Sequence, residues 1–226
     1  MRTIITLLAL ASVCGGAESD LEKARDRQDR SAIEKMIADL QSAADKSPKD
    51  ADAQYRVALA SSYLAEVSLE VRDKAQAQRA AESGIKAADR AVALKPGNAE
   101  YYRVLATLCG QVIPANVLAG MSYGKRAKDA IAKALELDPK SSKAYIAQGV
   151  GNYYLPSAFG GGMDIAVRDF KKAIDLDPKS SEAYLWLGIA HRKAHRNAEA
   201  REAFKRSVEL NPNRIWAKQQ FEKTPA

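Results

Sequence analysis

The chain has 226 residues, 46% of them hydrophobic and 28% charged, with a formal net charge of +7. That balance excludes an intrinsically disordered chain and frames one domain or one short repeat array. Acids and bases alternate along most of the length, so no block of like charge reads as a nucleic-acid tail, and the basic excess reads as a solvated face.

Residues 1–17 come first. Arg2 precedes an apolar run from Ile4 to Val13, and small residues follow as far as Ala17. This is the layout of a secretory signal, with cleavage expected after Ala17. The run is too short to anchor in a bilayer. Export to a periplasm or to the outside of the cell is therefore the expectation. Cys14 offers an alternative, a lipid-modified cysteine, although Val13 is larger than the Gly, Ala or Ser usual before such a residue. Once the leader is removed, Cys109 is the one remaining cysteine. A single thiol makes no internal disulfide, so stability must come from packing. No other apolar run is long enough to span a membrane.

Residues 18–48 contain the charged stretch DLEKARDRQDRSAIEKMIADL, read as one helix that leads into a set of repeated units. Four segments of those units end alike: AVALKP, ALELDP, AIDLDP and SVELNP, closing at Pro96, Pro139, Pro178 and Pro212. SAADKSP, closing at Pro48, is a degenerate copy. Successive prolines lie 48 (96−48), 43 (139−96), 39 (178−139) and 34 (212−178) residues apart. A unit of this size signals a helical solenoid. Proline lacks an N–H and biases its predecessor away from helix, so each copy closes a helix at a fixed point. The units are 49–96, 97–139, 140–178 and 179–212, and 213–226 is a capping helix and tail carrying Ile215, Trp216 and Phe221 at helical spacing.

A tyrosine recurs after each proline: Tyr55, Tyr102, Tyr145 and Tyr184. In the last unit Tyr184, Leu187, Gly188, Ala200, Phe204 and Pro212 follow one another. The third unit keeps Tyr145, Gly149, Ala166, Phe170, Ala173 and Pro178. The second keeps Tyr102, Leu105, Ala127, Ala134 and Pro139, and the first only Tyr55, Ala91 and Pro96. This pattern resembles the tetratricopeptide repeat, whose two antiparallel helices carry such residues at these spacings. The resemblance covers Ser31 to Ala226. It implies an all-α solenoid of about four stacked hairpins, each packing where glycine and alanine let helices approach. It says little about function.

The last unit has the standard length, and the others exceed it by 14, 9 and 5 residues (48, 43 and 39 against 34), between their two helices. In the first unit the excess, YLAEVSLEVRDKAQAQ, holds no Pro or Gly and predicts longer helices. In the second, GQVIPANVLAGMSYGKR predicts a loop around Pro114 and Gly120. In the third, Pro156 ends a helix, Gly160, Gly161 and Gly162 make the turn, and Asp164 is placed to cap the next helix. These loops, with Phe159 beside the glycines, form a candidate mouth on one edge of the solenoid. The run from Tyr153 to Ala173 also resembles a hairpin of the periplasmic T-component proteins associated with TRAP transporters. That resemblance implies the alternative role, a periplasmic small-ligand-binding or transport accessory protein with a pocket near Tyr153, Tyr154 and Phe159.

In the repeat family the first helix of each hairpin lines the concave groove. Projected here, that spacing gives Arg56, Tyr63, Arg103, Thr107, Lys143, Ile146, Tyr153, Trp186, Ile189, Arg192 and Lys193. Arginines and aromatics side by side suit an extended protein or peptide segment. No asparagine lies among them, which argues against the groove variant that clamps C-terminal carboxylates. His191 and His195, four apart with Glu199 beyond, have metal spacing. However, His191 falls at a core position and His195 at a helix end, so no metal and no cofactor is expected. Cys109 reads as a small core residue. Phosphate loops, dinucleotide fingerprints, HExxH and GxSxG are absent from the sequence, and the chain is read as a binding or scaffold module rather than an enzyme.

Overall fold

A computed structural model describes residues 19–114 and 120–225. Among them there is helix and no strand. In chain order the helices are α1 (19–26), α2 (Arg30–Lys46), α3 (Ala51–Glu70), α4 (Lys74–Leu94), α5 (Ala99–Val112), α6 (Gly120–Leu137), α7 (Ser142–Tyr154), α8 (Met163–Leu176), α9 (Ser181–Lys193), α10 (Asn197–Leu210) and α11 (Ile215–Glu222). A short 3-10 turn, Ser157–Phe159, separates α7 from α8. The expected signal segment, Cys14 and the middle of the second insert, residues 115–119, lie outside the described residues.

Helices α3/α4, α5/α6, α7/α8 and α9/α10 pair as antiparallel hairpins and stack in sequence order. Polar caps start many of these helices. The carboxylate of Asp50 accepts the backbone N–H groups of Asp52 and Ala53 at 2.9 and 3.1 Å, and Ser141 and Ser180 accept from Ala144 and Ala183. Such caps satisfy amide donors that have no partner inside the helix. The repeat residues meet as their spacing implies. A Cβ added to Gly149 would lie 2.5 Å from the Phe170 ring, and one added to Gly188 would lie 2.6 Å from the Phe204 ring. Both rings are wholly buried.

The first insert lengthens helices, as its composition predicts: α3 has 20 residues and α4 has 21, against 13 and 14 in α9 and α10. In the third insert α7 ends at Tyr154, just before Pro156, and Gly160 takes the left-handed conformation with φ 83°. One detail differs. Gly162, not Asp164, is the residue before α8, and no side chain caps it. Asp164 sits in the first turn, 3.8 Å from Arg196.

The start of the chain also differs from the sequence expectation. Residues 18–48 do not make a single helix. Gln28 adopts a positive φ of 55°, the chain reverses, and Asp29 caps α2 by accepting the N–H of Ala32 at 3.0 Å. Here α2 and the helix before it precede the first full unit, consistent with the degenerate copy at Pro48. Helical periodicity runs unbroken through DRQDR, and only the tertiary arrangement breaks it. At the other end α11 seals the last hairpin, with Ala217 buried and Trp216 and Phe221 packed against Leu185, Ile189 and Phe204.

Candidate functional site

The first helices α3, α5, α7 and α9 lie side by side and form one wall of the solenoid. This wall carries the side chains projected to face the groove. Their environments fall into two groups, one around α3 and α5 and the other around α9 and α11.

Around α5, Arg103 donates from Nε and Nη2 to Glu100 at 2.7 and 2.6 Å. Glu100 also accepts the Tyr55 hydroxyl at 3.1 Å. Burial works against the charge on Glu100, but Arg103, Lys143 and the Tyr55 hydroxyl outweigh it and hold the carboxyl below its ordinary range. Burial likewise opposes the charge on Arg103, and Glu100 outweighs it. The pair is ionised and held in one geometry. Lys143 remains exposed on α7. Arg56 lies 3.9 Å from the Asp50 cap. Tyr63 is covered by the Arg25 guanidinium, 5.0 Å from its ring centroid, and burial raises its hydroxyl pKa, with Arg25 opposing.

Around α9, Trp186 is an aromatic hub. Its neighbours are Phe170 at 6.3 Å, Tyr153 at 6.0 Å and Trp216 at 5.5 Å. Arg192 donates to the backbone oxygen of Gln220 at 3.2 Å, hydrogen-bonds the Gln220 side chain, and reaches the Thr224 hydroxyl at 3.4 Å. Lys193 sits over the Tyr153 ring at 4.2 Å. Trp186 and Arg192 thus hold the sealing helix, while Tyr153 stays half-buried at the edge of the wall. The loop beyond it is open: Tyr154 is 57% exposed and Phe159 74%. Pro156 and Gly160 are exposed beside them, Gly161 is buried and Gly162 half-buried. The two aromatic rings are exposed at this edge of the wall.

His191 is buried, and its Nδ1 lacks a hydrogen-bond partner. No cluster of His, Cys, Asp and Glu able to hold a metal occurs among the described residues. Cys109 is fully buried, and burial pushes its thiol up to about 11, so it stays protonated and unreactive at neutral pH. No helix among the described residues is long and apolar enough to cross a membrane.

One constellation is absent from the sequence reading. Arg214, 1% exposed, precedes α11 and reaches back across the wall. Its Nη2 donates to Glu66 at 2.6 Å and to Glu70 at 2.5 Å, and its Nε lies 3.6 Å from Glu182 and 3.8 Å from Asp26. Partners 144 and 148 residues apart leave no local signal.

Comparison with known proteins bears on this geometry at two levels. The family described as regulator of microtubule dynamics protein 1-3 matches residues 20–155, more than half of the chain. A tetratricopeptide repeat family matches residues 160–215. No curated protein matches the chain. Among solved structures, a thermophilic tetratricopeptide-repeat protein from Thermus thermophilus is 18% identical with a TM-score of 0.63, over 84% of this chain and 89% of that one. The HusA haemophore from Porphyromonas gingivalis is 19% identical with a TM-score of 0.60, over 76% and 93%. PilF from Pseudomonas aeruginosa is 19% identical with a TM-score of 0.51, over 76% and 65%. At such identities the likeness concerns the fold. The stacked hairpins form a tetratricopeptide-repeat solenoid of the type that binds protein partners, and the chain belongs to the family of regulator of microtubule dynamics protein 1-3.

Proposed function

We propose that the chain is an exported protein-binding module that receives an extended segment of a partner along the wall formed by α3, α5, α7 and α9. The observation that carries this reading is that wall, four first helices side by side, and the repeat spacing assigns Arg56, Arg103, Lys143 and Tyr153 to its groove. Arg103 and Glu100 are fixed before a partner arrives, so little side-chain entropy is lost on binding. Exposed Lys143 and half-buried Tyr153 supply a cation and a flat apolar ring. Trp186 and Arg192 contact α11, and the Arg25 guanidinium lies over the Tyr63 ring. The family description names an effect on a protein polymer, which agrees with a protein partner rather than a small substrate. Export rests on the leader at residues 1–17, and the family match begins after it, at residue 20. Catalysis has no support in the buried, protonated Cys109 or the orphaned His191.

Photocrosslinking residues placed at Lys143 and Tyr153 test the proposal, with Lys86 and Lys205, exposed on the second helices α4 and α10, as controls. The expected result is one and the same protein adduct from positions 143 and 153 and none from 86 or 205. Adducts that form from the second-helix positions, or from all four alike, overturn it.

A further inference from the structure

The first and last hairpins meet across the wall through polar side chains. From the start of the chain come Arg25, Asp26 and Gln28, with Glu66 and Glu70 from α3. From the end come Glu182 of α9, then Asn211, Arg214 and Gln219. Besides the Arg214 contacts, Asn211 Nδ2 donates to Asp26 Oδ2 at 2.7 Å and Gln219 Nε2 donates to Gln28 Oε1 at 3.3 Å. The apolar clusters that bind α9, α10 and α11 contain no residue of α1 to α4 among the described residues. From α1 to the start of α7, by contrast, neighbours share one apolar core.

We propose that this contact is a latch: the first and last hairpins part there, and its opening admits a partner segment to the wall. The consequence for binding rests on the function proposed above, but the latch itself does not. Three observations support it. First, a helix as long as α9 would end near Leu64, so Glu66 and Glu70 lie in the extra turns that the first insert adds. The longest insert of the array thus carries half of the contact. Second, four carboxylates, Asp26, Glu66, Glu70 and Glu182, face two guanidinium groups, Arg25 and Arg214. Removing such a set from water offsets much of the attraction it gains, so closure sits near balance, unlike an apolar seam. Third, Glu182 Oε2 and Arg214 Nε are buried without a directed hydrogen bond, although 3.6 Å apart. The closed network is therefore incompletely satisfied.

The same cluster couples closure to protons. The ionisable groups around Glu66 are Glu22, Arg25 and Asp26 from α1, Tyr63 and Glu70 from its own helix, Glu182 from α9, and Arg214. Burial pushes the Glu66 carboxyl up to about 7, with Arg214 opposing and Glu182 adding to the rise. An open latch returns Glu66 to water and to its ordinary value near 4.5. Between those two values the closed state holds a proton that the open state releases. Acid therefore favours closure: Glu66 by itself makes the closing constant about tenfold larger at pH 6 than at pH 8, and the Glu70 carboxyl, also raised by burial, adds to it.

Pulsed electron paramagnetic resonance on the full chain tests this. Spin labels go on cysteines at Lys74 and Lys218, both exposed, with Cys14→Ser and Cys109→Ala removing the native thiols. The expected result is a short distance at pH 6, a longer population that grows at least about tenfold by pH 8, a smaller pH response in Glu66→Gln, and none in the Glu66→Gln/Glu70→Gln double variant. Arg214→Ala should move most molecules to the longer distance with the circular dichroism unchanged. An unaltered single distance in Arg214→Ala overturns the latch. So does loss of helicity in that variant, because the network then holds the fold rather than a movable contact. Opening in Arg214→Ala without a pH response in the parent retains the latch and discards its proton dependence. No partner is present in these measurements, so their outcome is independent of the crosslinking result.

Discussion

The packing of each hairpin makes a prediction whose sign depends on geometry alone. Gly188 and Gly151 both lie within first helices, and both would gain intrinsic helix stability on replacement by alanine, about 0.5–1 kcal/mol. Their surroundings are opposite. A methyl group at Gly188 would stand 2.6 Å from Phe204 Cδ1 and Cε1 and 2.9 Å from Cζ. The ring cannot swing aside, because it is wholly buried among Leu185, Ile189, Ala200 and Ala217 with Arg192 over its face. The two helices must part, and overpacking of this kind costs about 1–3 kcal/mol. The net loss is about 0–2.5 kcal/mol after the gain in propensity. In a chain of this size that lowers Tm by up to about 10 °C. At Gly151 nothing lies within 4 Å of the added methyl, so only the gain remains and Tm rises by about 1–4 °C. Thermal melts of Gly188→Ala, Gly151→Ala and the parent, followed together by far-ultraviolet circular dichroism, decide it. A rise in both variants, or equal shifts, refutes the claim that α9 and α10 are set by glycine-to-ring contact.

Burial and the leader supply two more expected outcomes. Because the thiol of Cys109 is buried and pushed up to about 11, a Cys14→Ser chain should resist a thiol reagent when folded and react with one equivalent in denaturant. Fast labelling of the native chain contradicts the packing described for α5. Under the export proposed above, the mature protein should show the mass of a chain beginning at Glu18, whereas a chain beginning at a lipid-bearing Cys14 replaces signal cleavage after Ala17 with anchorage.

Much of the fold was legible in the chain because the signals are local. The prolines at 96, 139, 178 and 212 mark helix ends, and Tyr184, Gly188, Ala200 and Phe204 fix one hairpin by spacing that any helix of that pitch imposes. The first insert announced longer helices by lacking breakers. The candidate wall was legible as a set of positions, since α3, α5, α7 and α9 occupy the same place in each unit. What each side chain does there was not. Trp186 and Arg192 read as free anchors until α11 is seen against them, and Tyr63 until Arg25 covers it. The break at Gln28 was equally hidden, because amphipathic spacing continues across it.

Local spacing by itself therefore determined the class, the hairpin boundaries and the glycine-to-ring contacts within a unit, since these depend on helical period and on residues less than a repeat apart. The tertiary structure alone decided how the two ends of the array meet. Arg214 finds Glu66 and Glu70 only after every intervening hairpin has added its own turn to the stack. No pattern in sequence encodes that cumulative rotation, and the charges it brings together are buried by the meeting itself.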